Sequence, residues 1–191
     1  GCMMEGISHE AASLAGTWQL NKLIAVYDDN GISIDGEVKH WFTDDTVKRF
    51  EAYNWNVIGP IDGHDAALVD RSITAAKRQS AKPTLIVAKT IIGKGSPGRA
   101  GTEKAHGEAL GEAEVKATRA ALGWQYEPFT VPDDVYAAWD AKRAGAARES
   151  KWKQLFDAYS ERYPREAGEF ERRTKEELPA AYFAARDSAI A

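Results

Sequence analysis

Three short apolar runs, separated by stretches with helical patterning, constrain this chain more than any other feature. Leu23-Ile24-Ala25-Val26-Tyr27, Trp55 to Ile61 and Thr84-Leu85-Ile86-Val87-Ala88 carry no charge and are too short for buried helices. Runs of this kind suit strands covered on both faces, as in parallel sheets. Between them, Asp44-Asp45-Thr46 predicts the N-cap of a helix through about Tyr53. Asp65 predicts the cap of a longer helix from Ala66 to about Ser80, with Ala67, Leu68, Ile73 and Ala76 facing the sheet. Strand, helix, strand, helix, strand needs right-handed crossovers. The predicted fold class is therefore α/β, a parallel sheet with helices on both faces. Upstream, Ile7, Ala11, Leu14 and Trp18 recur at helical spacing and predict a helix over 5–20 that buries this stripe. Gly6 and Gly16 weaken that helix, which marks them as points of close packing.

The first apolar run is read as the central strand. It stops at Asp28-Asp29-Asn30-Gly31, four residues that favour a turn and offer oxygens. Oxygens at the carboxyl end of a buried strand are how open α/β sheets build binding sites. An Asn side-chain oxygen with a backbone carbonyl just beyond it suits Mg²⁺ or Ca²⁺, ions that commonly bridge phosphate oxygens. The N–H of Gly1, ahead of the predicted helix, would lie at an anion-binding helix start. These residues fit a metal–diphosphate site, and they equally fit an ordinary Asp-Asn-Gly turn. Glu5 and Glu10 read as solvated carboxylates. The Gly-, Pro- and Ser-rich loop 91–111 is long enough to be functional and carries His106, which on its own reads as a solvated side chain. Gly93-Lys94-Gly95-Ser96-Pro97-Gly98 is not a nucleotide loop, because Gly95 separates Lys94 from Ser96 and Pro97 opposes a following helix.

Other chemistries are excluded by what the chain lacks. Gly-x-Ser-x-Gly is absent, histidines 9, 40, 64 and 106 have no metal-ligand spacing, and the lone Cys2 builds neither a zinc knuckle nor an internal disulfide. A single cysteine fits a reducing, cytoplasmic setting. The net charge of −4 comes from interleaved acids and bases, so no basic stripe is available for nucleic acid or anionic lipid. No apolar run approaches the roughly 20 residues of a membrane span, and no signal peptide is expected. Gly1-Cys2-Met3-Met4 has no initiator or tag character, so a piece of a longer protein is expected. From Glu112 the pattern turns helical: 112–122, then polar helices over 132–144, 148–163 and 164–177. The expected organisation is a sheet domain over 1–123, an α-helical extension over 124–178 and an Ala-rich linker over 179–191.

Several blocks in order closely resemble the transketolase family. They are Gly1-Cys2-Met3-Met4-Glu5-Gly6-Ile7-Ser8-His9-Glu10-Ala11, Asp28-Asp29-Asn30-Gly31-Ile32-Ser33-Ile34-Asp35-Gly36, Trp41-Phe42-Thr43-Asp44-Asp45, Asp62-Gly63-His64-Asp65, Lys89-Thr90-Ile91-Ile92-Gly93 and His106-Gly107. The resemblance implies the diphosphate-binding domain of a thiamine diphosphate enzyme. Gly1 matches the last glycine of the family's Gly-Asp-Gly signature and Asn30 its closing asparagine. The intervening aspartate, a metal ligand in the family, would fall just before residue 1. By resemblance, Gly1 gives its amide to the diphosphate, Asn30 and the Ile32 carbonyl bind Mg²⁺ (or Ca²⁺), and Ile34 packs against the thiazolium. His106 contacts diphosphate and substrate, and Glu5 and Glu10 become buried acids linking two cofactor sites across a homodimer. The implied activity moves a two-carbon ketol unit from a ketose phosphate to an aldose phosphate in the pentose phosphate pathway. Also implied is dependence on an upstream half-domain and a pyrimidine-binding domain, without which the chain is expected to be inactive. A dihydroxyacetone synthase, a deoxyxylulose phosphate synthase or a non-catalytic binding fragment are the alternatives.

Overall fold

The computed structural model describes residues 1–191. They form two compact units, Gly1–Gln125 and Tyr126–Ala191. In the first, β1 (Ile24–Asp29), β4 (Asn56–Asp62) and β5 (Thr84–Lys89) make a parallel sheet in the order β1-β5-β4, and β2 (Ile32–Ser33) pairs antiparallel with β3 (Gly36–Glu37). The helices of this unit are α1 (Gly6–Thr17), α2 (Thr46–Ala52), α3 (Ala66–Arg78), α4 (Lys104–Gly107) and α5 (Glu112–Ala121). The parallel register aligns Asp29, Lys89 and Asp62 in one row at the carboxyl ends of the three strands.

The α/β prediction holds, but the strand order corrects it in one respect. The central strand is β5, buried from Thr84 to Ala88, while β1 is an edge strand that alternates, with Val26 60% exposed. An uncharged run is compatible with either position, because pairing partners decide which strand is covered. Leu85 and Val87 point to one face and join Ala12, Ala15, Phe50 and Trp55 in the core. Ile86 points to the other face and is equally buried, so both faces of β5 are covered. α3 packs against β4 and β5.

Helix starts follow local chemistry. Asp45 Oδ1 accepts from Lys48 N–H at 3.1 Å and Asp65 Oδ1 from Leu68 N–H at 3.0 Å, so both predicted caps form. The faces differ in part from the prediction. α3 buries Ala76 as predicted and half-buries Leu68, but Ser72 is also buried while Ala67 and Ile73 are exposed. α1 starts at Gly6, after a 3-10 turn over Cys2–Met4, and turns Ala12, Ala15 and Gly16 inward. Its Ile7–Leu14–Trp18 stripe faces outward, with Ile7 69% exposed. Small residues win the inner face because α1 lies hard against the chain after α2: Trp55 Nε1 donates to the Ala12 carbonyl at 2.8 Å inside the core. A Cβ on Gly16 would stand 1.7 Å from the Tyr53 carbonyl oxygen, whereas one on Gly6 would meet nothing within 4 Å.

The second unit contains α6 (Asp133–Trp139), α7 (Lys142–Arg162), α8 (Pro164–Thr174) and α9 (Tyr182–Ile190). The single helix predicted over 132–144 is broken at Asp140, the C-cap of α6, whose side chain accepts from Lys142 N–H at 2.9 Å in a side-chain turn ahead of α7. α7 and α8 meet through aromatic rings, with Phe156 5.1 Å from Trp152 and 5.5 Å from Phe170. The tail, read from sequence as a linker, carries the exposed helix α9.

Candidate functional site

At the carboxyl end of β1 the chain reverses on a side-chain turn. Asn30 Oδ1 accepts from Ile32 N–H at 2.9 Å, and Gly31 between them takes φ +72°. An Asx turn needs the asparagine oxygen for the first contact, and the left-handed backbone favours glycine for the second. The hairpin of β2 and β3 follows, and the Val38 N–H returns to the Gly31 carbonyl at 3.0 Å. The turn thus holds the Asn30 oxygen and the Ile32 peptide at a fixed place beyond the sheet.

A cavity of about 50 Å³ opens there, lined by Gly1, Met3, Met4, Tyr27, Asp28, Asn30, Gly31, Ile32, Val38 and Phe42. The first residues of the chain therefore meet the Asn30 turn, which sequence separation alone does not require. A neighbouring cavity of about 280 Å³ shares Tyr27, Val38 and Phe42 and adds Asp29, Asp44, Asp45 and Lys89. Burial, followed by the charge of Asp29, raises the Tyr27 phenol above its ordinary value. Two links tie the ends of β1 and β5 together: Thr90 Oγ1 donates to Asp28 Oδ1, and Lys89 Nζ lies 2.5 Å from Asp29 Oδ2.

Of the residues singled out by sequence, the structure brings Gly1, Asn30 and Ile32 together. Ile34 sits in the hairpin loop, 71% exposed and outside the cavity lining. Glu5 is the N-cap of α1 without a side-chain cap bond, and Glu10 lies further along the helix; both are exposed. His106 is exposed on α4, and its backbone N–H donates to the Glu103 carbonyl at 2.9 Å. Sequence reasoning missed His64, whose Nε2 accepts the Ile91 N–H at 2.8 Å and ties the turn after β4 to the loop carrying His106. The missed side chains of Val38 and Phe42 also line the cavity. Only the Trp41-Phe42 block of the family resemblance pointed near them.

The donor chemistry at the Asn30 corner fits a diphosphate-bound cation. An amide oxygen and a peptide carbonyl are neutral, hard ligands, and a dication they hold must take its remaining oxygens, and negative charge, from a ligand such as a diphosphate. Asn30 Oδ1 uses one lone pair on Ile32 N–H and keeps a second. No group of three His, Cys, Asp or Glu side chains is placed to hold a metal ion.

The loop that carries His106 is stapled by Glu114 of α5. Its Oε1 accepts from Ser96 Oγ and from Gly98 N–H, the latter at 2.7 Å. These two bonds, Ser96 first, hold the Glu114 carboxyl below its ordinary value. Because the folded value is depressed, the staple is fully formed above the unfolded carboxylate range and is lost as pH falls through the lower folded value. Glu114→Ala is expected to speed tryptic cleavage after Lys94, Arg99 and Lys104 about 10-fold at pH 7, since loops open locally once their anchoring bonds go. Unchanged cleavage would mean the loop is held by other contacts.

A parallel α/β sheet with oxygen donors gathered at a strand end is the arrangement in which open α/β domains build ligand-binding sites. The family described as "Transketolase, thiamine diphosphate binding domain" matches residues 1–179. The chain belongs to this family. It is 59% identical over 191 residues to transketolase 1 of Escherichia coli K12, covering all of this chain and 29% of that protein. Transketolase 2 of Xanthobacter flavus is 54% identical over 190 residues, covering 28% of that protein. Among solved structures, transketolase from Leishmania mexicana superposes with TM-score 0.89 at 36% identity, over 96% of this chain and 28% of the other. A Pichia stipitis transketolase in complex with sedoheptulose-7-phosphate gives TM-score 0.85 at 39% identity, over 94% of this chain and 27% of the other. The chain thus spans less than a third of the length of these relatives. No helix is long and apolar enough to cross a membrane.

Proposed function

We propose that this chain is the part of a transketolase that grips the diphosphate and divalent cation of thiamine diphosphate, within an enzyme that moves a two-carbon ketol unit between sugar phosphates. The observation that carries this reading is the meeting of Gly1, Asn30 and Ile32 around one cavity at the end of β1. Asn30 Oδ1 and the Ile32 carbonyl hold Mg²⁺, or Ca²⁺ in its place, and the Gly1 N–H donates to a diphosphate oxygen. Sheet residues 1–123 form the grip, 124–178 the helical extension, and 179–191 lead towards a pyrimidine-binding domain. Bound thiamine diphosphate supplies the nucleophilic carbon and electron sink needed to break and remake a carbon–carbon bond next to a carbonyl.

The remaining roles fall to this chain's side chains. Ile34, exposed on its hairpin, offers an apolar face to the cofactor ring. His106 binds the substrate and moves a proton at its hydroxyl through an imidazole nitrogen. Glu5 and Glu10, exposed on α1, become buried where two subunits of a cytoplasmic homodimer meet and there carry protons between sites. A ketose phosphate and an aldose phosphate are the substrates, and sedoheptulose-7-phosphate in the P. stipitis relative supports that class.

The experiment is a chimera of E. coli transketolase 1 in which these 191 residues replace the matching segment. With thiamine diphosphate and Mg²⁺ it is expected to turn over a ketose phosphate and an aldose phosphate, and the isolated chain is not. In the chimera, His106→Ala is expected to lower kcat/KM by about 100-fold, the scale of a lost proton-transfer group, while His40→Ala stays within about threefold. Equal losses for the two variants would remove His106 from the site, and turnover by the isolated chain would refute the need for the remainder.

A further inference from the structure

Arg49 of α2 is the most heavily engaged side chain near the cavity, and the roles given above leave it unused. Its side chain is only 11% exposed. Nη1 donates to Asp44 Oδ2 at 3.0 Å and to His9 Nε2 at 3.1 Å, and Nη2 donates to the Met3 carbonyl at 3.1 Å. The guanidinium lies 5.7 Å from the ring centroids of both Phe42 and Phe50. One planar cation thus joins the 3-10 turn over Cys2–Met4, helix α1, the segment before α2 and two aromatic rings. A guanidinium only donates, so His9 Nε2 accepts and its proton sits on Nδ1, 3.0 Å from Tyr53 Oη. The network therefore runs from Met3 to the carboxyl end of α2.

Two of its members, Met3 and Phe42, line the cavity with Gly1, Asn30 and Ile32. Arg49 itself is not among the lining residues. Keeping a charge this buried is costly unless geometry repays it. Here one carboxylate, one imidazole and one carbonyl take three of the donors, while Nε is buried without a partner. A lysine ammonium is a point donor and does not reproduce the planar fork that spans three acceptors.

We propose that Arg49 is a positioning residue for the cofactor diphosphate: by fixing the Met3 carbonyl and the Phe42 ring it sets Gly1 opposite the Asn30 turn. This rests on the cofactor-site reading above.

The test uses the chimera, with Arg49→Met, Arg49→Lys and Asn30→Ala. Thiamine diphosphate affinity is measured by calorimetry in Mg²⁺, kcat at saturating cofactor, and stability by urea midpoint without cofactor. Arg49→Met is expected to weaken cofactor binding about 10-fold, the scale seen when supporting partners of a bound group are lost, with kcat within about twofold. Arg49→Lys is expected to recover only part of the affinity while keeping the urea midpoint near that of the parent. It supplies the measurement if Arg49→Met does not fold. A lowered urea midpoint with unchanged affinity in both Arg49 variants, while Asn30→Ala binds poorly, would overturn the role of Arg49 alone. Unchanged affinity in Asn30→Ala would overturn the site reading and this inference with it.

Discussion

In the chimeric enzyme, Asn30→Ala is expected to weaken thiamine diphosphate binding about 100-fold, because a hydrogen-bonding or ligand contact to a charged group contributes about 1.5–3 kcal/mol and its turn is lost as well. One oxygen does two jobs at this corner. In the proposed site it would offer a lone pair to the cation, and it accepts the Ile32 N–H at 2.9 Å, which pins the turn that carries the Ile32 peptide. Alanine removes both, and Gly31 at φ +72° is then a flexible link rather than part of a pinned turn. Asn30→Asp separates the two contributions. It keeps an acceptor for the turn and an oxygen for the cation but adds a negative charge beside the diphosphate, so its affinity should fall between parent and alanine variant. Calorimetric titration in Mg²⁺ measures all three proteins. Parent-like binding by Asn30→Ala would mean that the cofactor is held elsewhere.

The second large effect concerns stability. Gly16→Ala is expected to destabilise the folded chain by about 3 kcal/mol, at the upper end of overpacking costs, despite alanine's better helix propensity. The added carbon would stand 1.7 Å from the Tyr53 carbonyl oxygen and 3.2 Å from the Trp55 ring, so backbone and not a side-chain tip must give way. Tyr53 is the C-cap of α2, and Trp55 donates to the Ala12 carbonyl, so α1 cannot back away without losing that buried bond. Gly6→Ala in the same helix meets nothing within 4 Å and serves as the comparison. Urea unfolding of the two variants beside the parent decides the matter. Equal midpoints for Gly16→Ala and the parent would show that α1 and the chain after α2 can separate freely.

What could be read before the structure was mostly local. Asp45 and Asp65 announce helix starts because a cap is made within four residues. The Asn30-Gly31 turn was visible for the same reason, and three apolar runs were enough for the α/β class. Position within the sheet is not local: an uncharged run says that a strand wants cover, not which neighbours supply it, so from sequence β1 reads as the centre that β5 occupies. The inner face of α1 is not set by hydrophobic size, which favours Ile7, Leu14 and Trp18; closeness of approach selects Ala12, Ala15 and Gly16 instead. The Arg49 network was illegible in principle. Residues 3, 9, 44, 49 and 53 share no spacing pattern and meet only after α1 and α2 have docked. Gly1, Asn30, Ile32, Ile34, His106, Glu5 and Glu10 were named as a set through family resemblance, and the residues alone supported only the Asn30 corner and Gly1.

The two margins of the sheet are unlike. Along β4 the ladder is interrupted between Ile58 and Ile61, where Gly59 and Pro60 fall, and proline has no N–H to offer a newcomer. Along β1 the six residues from Ile24 to Asp29 are regular and proline-free, and every second one turns its N–H and C=O to the side away from β5. Such a row is a template for further pairing. The two margins therefore differ in what they offer a further strand: a regular ladder beside β1, which ends at Asp29 just before the Asn30 turn, and an interrupted one beside β4.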